Sequence, residues 1–189
     1  RHYGLLKDIN YIQIFMLAIR RPLALAYLIP EKWKYDELIW MRLIKRNVDC
    51  VSDAPPEIMS IKNMAIAAVQ IKGSKLKYVS EELRTDRDVA LAAVLNSSPS
   101  FITKSKYLEP FKSDREFFLK AVSKNGIALK SAAIELRSDK EIVLTAVKHG
   151  YSLQDAPVAL QADREVVLAA VSSSGDELKY ASNDVIFLI

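Results

Sequence analysis

Ser138-Asp139-Lys140-Glu141-Ile142-Val143-Leu144-Thr145-Ala146-Val147 decides the fold, because the chain says it more than once. Ala162-Asp163-Arg164-Glu165-Val166-Val167-Leu168-Ala169-Ala170-Val171 is a second copy, and Thr85 to Val94 and Ser113 to Val122 are two more. Ser60 to Val69 is a weaker fifth, with Ile61-Lys62-Asn63 in place of the charged triplet. The final aliphatic position recurs at Ile19, Ile44, Val69, Val94, Val122, Val147 and Val171, in steps of 25, 25, 25, 28, 25 and 24 residues. A fixed period in this range is the mark of stacked supersecondary units. The expectation is an all-α solenoid of about seven tandem two-helix repeats, a single domain over residues 1–189.

Each repeat reads as two helices. In the first, Val166, Val167, Ala170 and Val171 fall at helical spacing, with Leu168 widening the stripe. Its start has the spacing of a capping box: Ser138 three before Glu141, Ser113 three before Glu116, Thr85 three before Asp88. Its stop is written in glycine. Gly73, Gly126 and Gly175 lie four residues past the last aliphatic slot and Gly150 three past it, where a left-handed residue would end a helix. The second helix is shorter. Leu129, Ala132 and Leu136 set its i, i+3, i+7 pattern, repeated as Val51, Ala54, Ile58; Leu76, Val79, Leu83; Leu153, Ala156, Leu160; and Leu178, Ala181, Val185. Ala26, Ile29 and Trp33 fill it in the first full repeat. Pro55 and Pro157 fit only if their helices begin late. The repeat holding Pro99 to Pro110 is three residues longer and lacks the glycine, so a loop or bend is expected there.

These residues resemble a repeat family known only as domain of unknown function 4116 (DUF4116). Its signature is similar to a leucine–x–x–alanine segment followed by E-L-R-x-D-[RK]-E-V-V-L-x-A-V and a glycine. The chain carries Glu82-Leu83-Arg84-Thr85-Asp86-Arg87-Asp88-Val89 and Glu135-Leu136-Arg137-Ser138-Asp139-Lys140-Glu141-Ile142. The resemblance runs from about Leu76 to Tyr180 and departs at Ala90, Phe117-Phe118 and Gln161. It implies helical repeats and lends no activity. Such repeats occur in proteins of protists and of bacteria living inside host cells, secreted effectors included, so a host–pathogen setting is implied.

Composition excludes several classes. Half of the 189 residues are apolar and 26% are charged, which suits a packed domain. A single cysteine, Cys50, permits no intrachain disulfide and points to a reducing compartment, the bacterial or host cytoplasm. No apolar run reaches the roughly 18 residues of a membrane span. Arg1 in place of a methionine and the apolar end Val185 to Ile189 read as a piece of a longer protein. Two histidines, His2 and His149, and one cysteine give no metal-ligand spacing, and the solitary glycines form no phosphate loop. Cys50 has no histidine near it in sequence and reads as a small buried hydrophobe. No catalytic residue, cofactor, metal or small-molecule substrate is expected.

Equivalent slots line up as columns of charge. Lys62, Arg87, Arg115, Lys140 and Arg164 form a basic column beside the acidic Asp88, Glu116, Glu141 and Glu165. Lys34, Arg84, Lys112 and Arg137 form a second, beside Glu57, Glu82, Glu135 and Asp184. Such columns serve either as caps with exposed ion pairs or as a basic groove for phosphates; the acidic column beside each basic one favours the first. Slots that vary while the core stays fixed are the candidates for partner binding. They are Arg42 and Lys45 with Arg46, Lys120 and Lys124 with the later Lys148 and His149, Lys77 and Tyr78, Lys130, and Lys179 and Tyr180. The irregular repeat adds Phe101, Lys104, Lys106 and Tyr107. Basic and aromatic anchors on a helical face suit a protein partner. Nucleic acid or an anionic lipid surface is the alternative, and support for an enzymatic domain outside this chain a third.

Overall fold

The computed structural model describes residue 29 and residues 31–186. Of the slots expected at the start of the chain, Ile19 and Ala26 lie outside the described residues, as does His2, while Ile29 and Trp33 are buried. The chain divides into two compact units, residues 1–96 and 97–189, and the division falls where the repeat is irregular. Among the described residues every regular element is helical.

The N-terminal unit contains α1 (Glu37–Arg46), α2 (Pro56–Met59), α3 (Lys62–Ile71), α4 (Glu81–Arg84) and α5 (Arg87–Leu95). The C-terminal unit contains α6 (Pro99–Lys104), α7 (Arg115–Lys124), α8 (Ile134–Arg137), α9 (Lys140–Lys148), α10 (Val158–Gln161), α11 (Arg164–Ser173) and α12 (Asn183–Ile186). The long helices stack side by side within each unit: α1 on α3 on α5, and α7 on α9 on α11. Their buried faces are the expected ones. Val89, Ala90, Ala93 and Val94 are buried on α5, Phe117, Phe118, Ala121 and Val122 on α7, Ile142, Val143, Ala146 and Val147 on α9. The alanine in the third slot lets neighbouring helices approach. Trp40 is fully buried in α1, its indole N–H donating to Lys34 O at 2.7 Å.

The expected second helix is in fact two pieces. Residues Gly126–Ser131 form a 3₁₀ turn, Ala132 and Ala133 are extended, and α8 then makes a single α turn. Gly73–Tyr78 before α4 and Gly175–Tyr180 before α12 repeat the break. The apolar triple survives because the break preserves its facing: Leu129, Ala132 and Leu136 are all buried. Pro157 and Pro55 sit at the N-caps of α10 and α2, which begin late as their presence requires. The segment Pro99 to Pro110 is not a loop. It folds as α6, capped by Ser98, followed by a 3₁₀ turn over Lys106–Phe111.

Two further expectations need correction. The N-cap is the aspartate, not the hydroxyl before it. Asp86 accepts from the N–H of Asp88 and Val89, Asp139 from Glu141 and Ile142, Asp163 from Glu165 and Val166. Ser138 and Thr85 instead close the preceding short helix, donating to Ile134 O and Glu82 O. The glycines are also used differently. Among the described glycines only Gly150 has a positive φ, 90°. The long helices end on extended residues such as Lys72, Asn125 and Ser174, and the glycine opens the 3₁₀ turn that follows.

Candidate functional site

The repeated geometry begins with three rungs between successive repeats. In the first, the glycine N–H bonds the carbonyl that caps the next long helix. Gly73 donates to Asn96 O at 2.9 Å, and Gly126 to His149 O at 2.8 Å. This satisfies one of the carbonyls a helix C-terminus leaves open. The approach admits no side chain at Gly126, where a Cβ would lie 2.1 Å from Ala146 O and 2.7 Å from Tyr151 N.

The second rung joins the short turns. Ser80 N–H donates to Met59 O, Ala133 N–H to Lys112 O, and Ser182 N–H to Gln161 O. Pro157 fills the equivalent slot after α8 and has no N–H to offer Arg137 O.

The third rung is ionic. Lys62 Nζ lies 2.9 Å from Asp86 and 2.8 Å from Asp88; Lys140 Nζ lies 2.8 Å from Asp163 and 3.0 Å from Glu165. Arg115 holds Asp139 at 2.8 Å and also pairs with Glu141. A base at the first helical position thus clamps both the cap and the second residue of the next helix. The hydrogen bond from Arg115 holds the Asp139 carboxyl below the usual carboxylate range, and that from Lys140 does the same for Asp163. At Asp86 partial burial works the other way, and the Lys62 bond with the capped N–H groups overcomes it. The first basic column is therefore committed to carboxylates wherever its pairs are seen, as ion pairs plus caps.

In the second basic column the bonds seen at Arg84 and Lys112 lie within a repeat. Arg84 Nε donates to Val79 O at 2.7 Å, tying the short turn across its break. Gln161 occupies the same slot three repeats later and makes the same bond, Nε2 to Ala156 O at 2.9 Å. Its departure from the arginine pattern is thus a substitution that keeps the function. In the same column Arg137 Nε is buried without a partner, and Lys112 pairs with Glu109 at 2.9 Å.

The candidate partner residues lie outside these rungs, Arg42, Lys45, Lys77 and Tyr78 in the N-terminal unit and the others in the C-terminal one. Arg42 and Lys45 are exposed on α1, Lys120 and Lys124 on α7. Lys120 pairs with Glu116 within its own helix, and Lys130 with Asp155 of the next repeat. Lys77, Lys106 and Lys179 each stand over the ring of the tyrosine that follows, Tyr78, Tyr107 and Tyr180, at 4.7, 5.6 and 4.9 Å. Phe101 is half-buried and Lys104 exposed on α6. His149 ends α9 with Nδ1 at 2.8 Å from Thr145 O.

Several polar residues that hold repeats together had no signal in the sequence beyond their position. Glu177 accepts from Leu153 N–H at 2.7 Å and from the Ser152 hydroxyl. Lys75 is buried against Asp49 at 2.8 Å. Cys50 is fully buried, and that burial pushes its thiol up to about 12, far from a nucleophile's range. Among the described residues no group of three or more His, Cys, Asp or Glu side chains could hold a metal, and no helix is long and apolar enough to cross a membrane. One open depression of about 370 Å³ lies between α9 and α11, lined by Lys148, Leu168, Ala169, Ser172 and Ser173.

The model of the family described as "Domain of unknown function (DUF4116)" matches residues 62–108, 114–161 and 139–186. No curated protein and no solved structure gives a match. The matched stretches span more than half of the chain, which belongs to the DUF4116 family.

Proposed function

We propose that this DUF4116 chain is a non-catalytic protein-interaction scaffold, an α-solenoid of about seven repeats that displays variable side chains on a fixed frame. The observation that carries the reading is the separation of duties within a repeat. The first charged column is taken up by inter-repeat rungs wherever its pairs are seen, whereas Arg42, Lys45, Lys104, Lys124 and Lys179 vary from repeat to repeat and point to solvent. A surface whose framework is satisfied internally and whose outward slots differ is what a binding array needs. A place among secreted effectors acting in a host cytoplasm agrees with the family's setting.

The test is a pull-down from cell lysate with this chain as bait, at low and moderate salt, with the recovered material identified. Discrete proteins that survive moderate salt are the expected result. Nucleic acid or anionic lipid that is lost with salt would replace this reading with the electrostatic one.

A further inference from the structure

We propose that the outer face of α1 and the end of α3 is a docking site for an acidic, amphipathic protein segment, one whose carboxylates meet Arg42, Lys45 and Arg46 and whose aliphatic side chains meet Leu38 and Ile71. The proposal rests on the scaffold reading and names the place and the chemistry of a partner.

Charge is the first argument. Residues 97–189 hold 12 Lys and Arg and 12 Asp and Glu, so that unit is neutral. The chain totals are 27 and 23, leaving 15 cations and 11 carboxylates in residues 1–96, an excess of four that equals the net charge of +4. Within residues 42–77 alone there are seven cations and three carboxylates, again an excess of four. Lys62 is held by Asp86 and Asp88, and Lys75 by Asp49, which Lys72 approaches only to 3.9 Å. Arg42, Lys45 and Arg46 are exposed and take part in no ion pair among the described residues.

Geometry is the second. Leu38, Arg42, Lys45 and Arg46 are spaced i, i+4, i+7 and i+8 on α1 and share one face. Leu38 is 58% exposed there, although its slot holds the charged Asp88, Glu116, Glu141 or Glu165 in later repeats. Ile71 occupies on α3 the slot that Arg46 occupies on α1, and it is 49% exposed on a helix packed against α1. Two aliphatic side chains therefore flank three uncommitted cations across adjacent helices. Aliphatic anchors such as Leu38 and Ile71 gain nothing from a phosphate backbone. An apolar-faced acidic segment meets the cations with its carboxylates and the anchors with its aliphatic side chains, and the arginines can bind carboxylates bidentately.

The probe is a labelled synthetic peptide with leucines at i, i+4 spacing and glutamates elsewhere, titrated into the whole chain by anisotropy. Controls are the same peptide with serine for leucine and a single-stranded oligonucleotide of equal charge. The R42E/K45E/R46E variant is expected to weaken the leucine–glutamate peptide about tenfold or more, and Leu38→Ser to weaken it without altering the salt dependence. R42Q/K45Q/R46Q gives an intermediate loss and guards against a folding defect, with circular dichroism as the check. Equal affinity in the reversed variant, tighter binding of the oligonucleotide, or no binding of the leucine–glutamate peptide overturns the proposal. The scaffold reading fails separately: it falls if the unaltered chain recovers no protein from lysate, and stands if the reversed variant still recovers the same ones.

Discussion

In the N-terminal unit Gly73 reaches Asn96 O at 2.9 Å and Lys62 spans Asp86 and Asp88; in the C-terminal unit Gly126 reaches His149 O at 2.8 Å and Lys140 spans Asp163 and Glu165. The rungs are the same to within tenths of an ångström, and the surfaces around them are not. One unit carries the whole excess of positive charge, while the other balances 12 against 12. The comparison teaches that the repeated residues are spent on joining repeat to repeat, and that whatever distinguishes the units must be sought in residues that do not repeat.

The sharpest way to break the comparison is to strike a rung where it is tight and where it is absent. Gly126→Ala puts a methyl group 2.1 Å from Ala146 O, so the turn and α9 must separate. A loss of about 3 kcal/mol or more in urea unfolding is expected. Gly175 fills the same slot, has a negative φ and meets nothing within 4 Å, so Gly175→Ala should be neutral or slightly stabilising. Equal losses at both would mean that the glycine serves only to end its helix.

A smaller effect separates the cap from its neighbour. Asp139→Ala removes the oxygen that accepts from two N–H groups and half of the Arg115 clamp, and should cost about 1–2 kcal/mol. Ser138→Ala loses only an exposed bond to Ile134 O and should stay within about 0.5 kcal/mol. The reverse order would restore the serine as the cap.

The ladder also sets a pH profile. Asp139 and Asp163 have folded values below the ordinary carboxylate one, so their contribution is complete above the unfolded value near 4 and is lost as pH falls through the depressed folded values. Lys62 and Lys140 are raised by their hydrogen bonds to the carboxylates, first Asp88 and Asp163 respectively, so their share is complete below the unfolded value near 10.4 and fades above it. Thermal unfolding should therefore hold a plateau between about pH 5 and 9 and drop at the acid end. A profile with no fall at the acid end would show that the Asp139 and Asp163 pairs contribute nothing to stability.

Much of this frame was readable in the sequence, and the errors at the cap and the glycine have one cause. The repeat, the buried stripe and the ion-pair reading of the column that holds Lys62 and Lys140 all follow from periodicity. The cap was misplaced by one residue because serine and aspartate are equally good local caps; the carboxylate is selected by a base one repeat earlier, about 24 residues away in Arg115 and Asp139. Gly126 looked like a left-handed stop because local chemistry favours one, whereas its absent side chain is required by Ala146 O of the next repeat. Gln161 looked like a departure and keeps the arginine's bond. The cap and the glycine are misread where a neighbouring repeat, not the local chain, decides the residue, whereas Gln161 is decided within its own turn.

The finest test of that conclusion is Pro157. Pro55 shares its slot, which in three other repeats holds Ser80, Ala133 and Ser182, whose N–H groups complete the second rung at 3.2, 2.8 and 3.0 Å. Ala133 holds the same extended conformation that Pro157 does, φ −60° against −55°, so Pro157→Ala requires no backbone change. The new N–H can reach Arg137 O and gain about 0.5–1.5 kcal/mol, while the freed unfolded chain costs about 0.4–1 kcal/mol. Net stability should thus move by less than about 1 kcal/mol. The decisive readout is hydrogen exchange: protection of the new amide at position 157, matching that at Ala133, would show that the rung is a property of the repeat and that proline merely omits it. Rapid exchange there would show that the two turns are not joined at this slot.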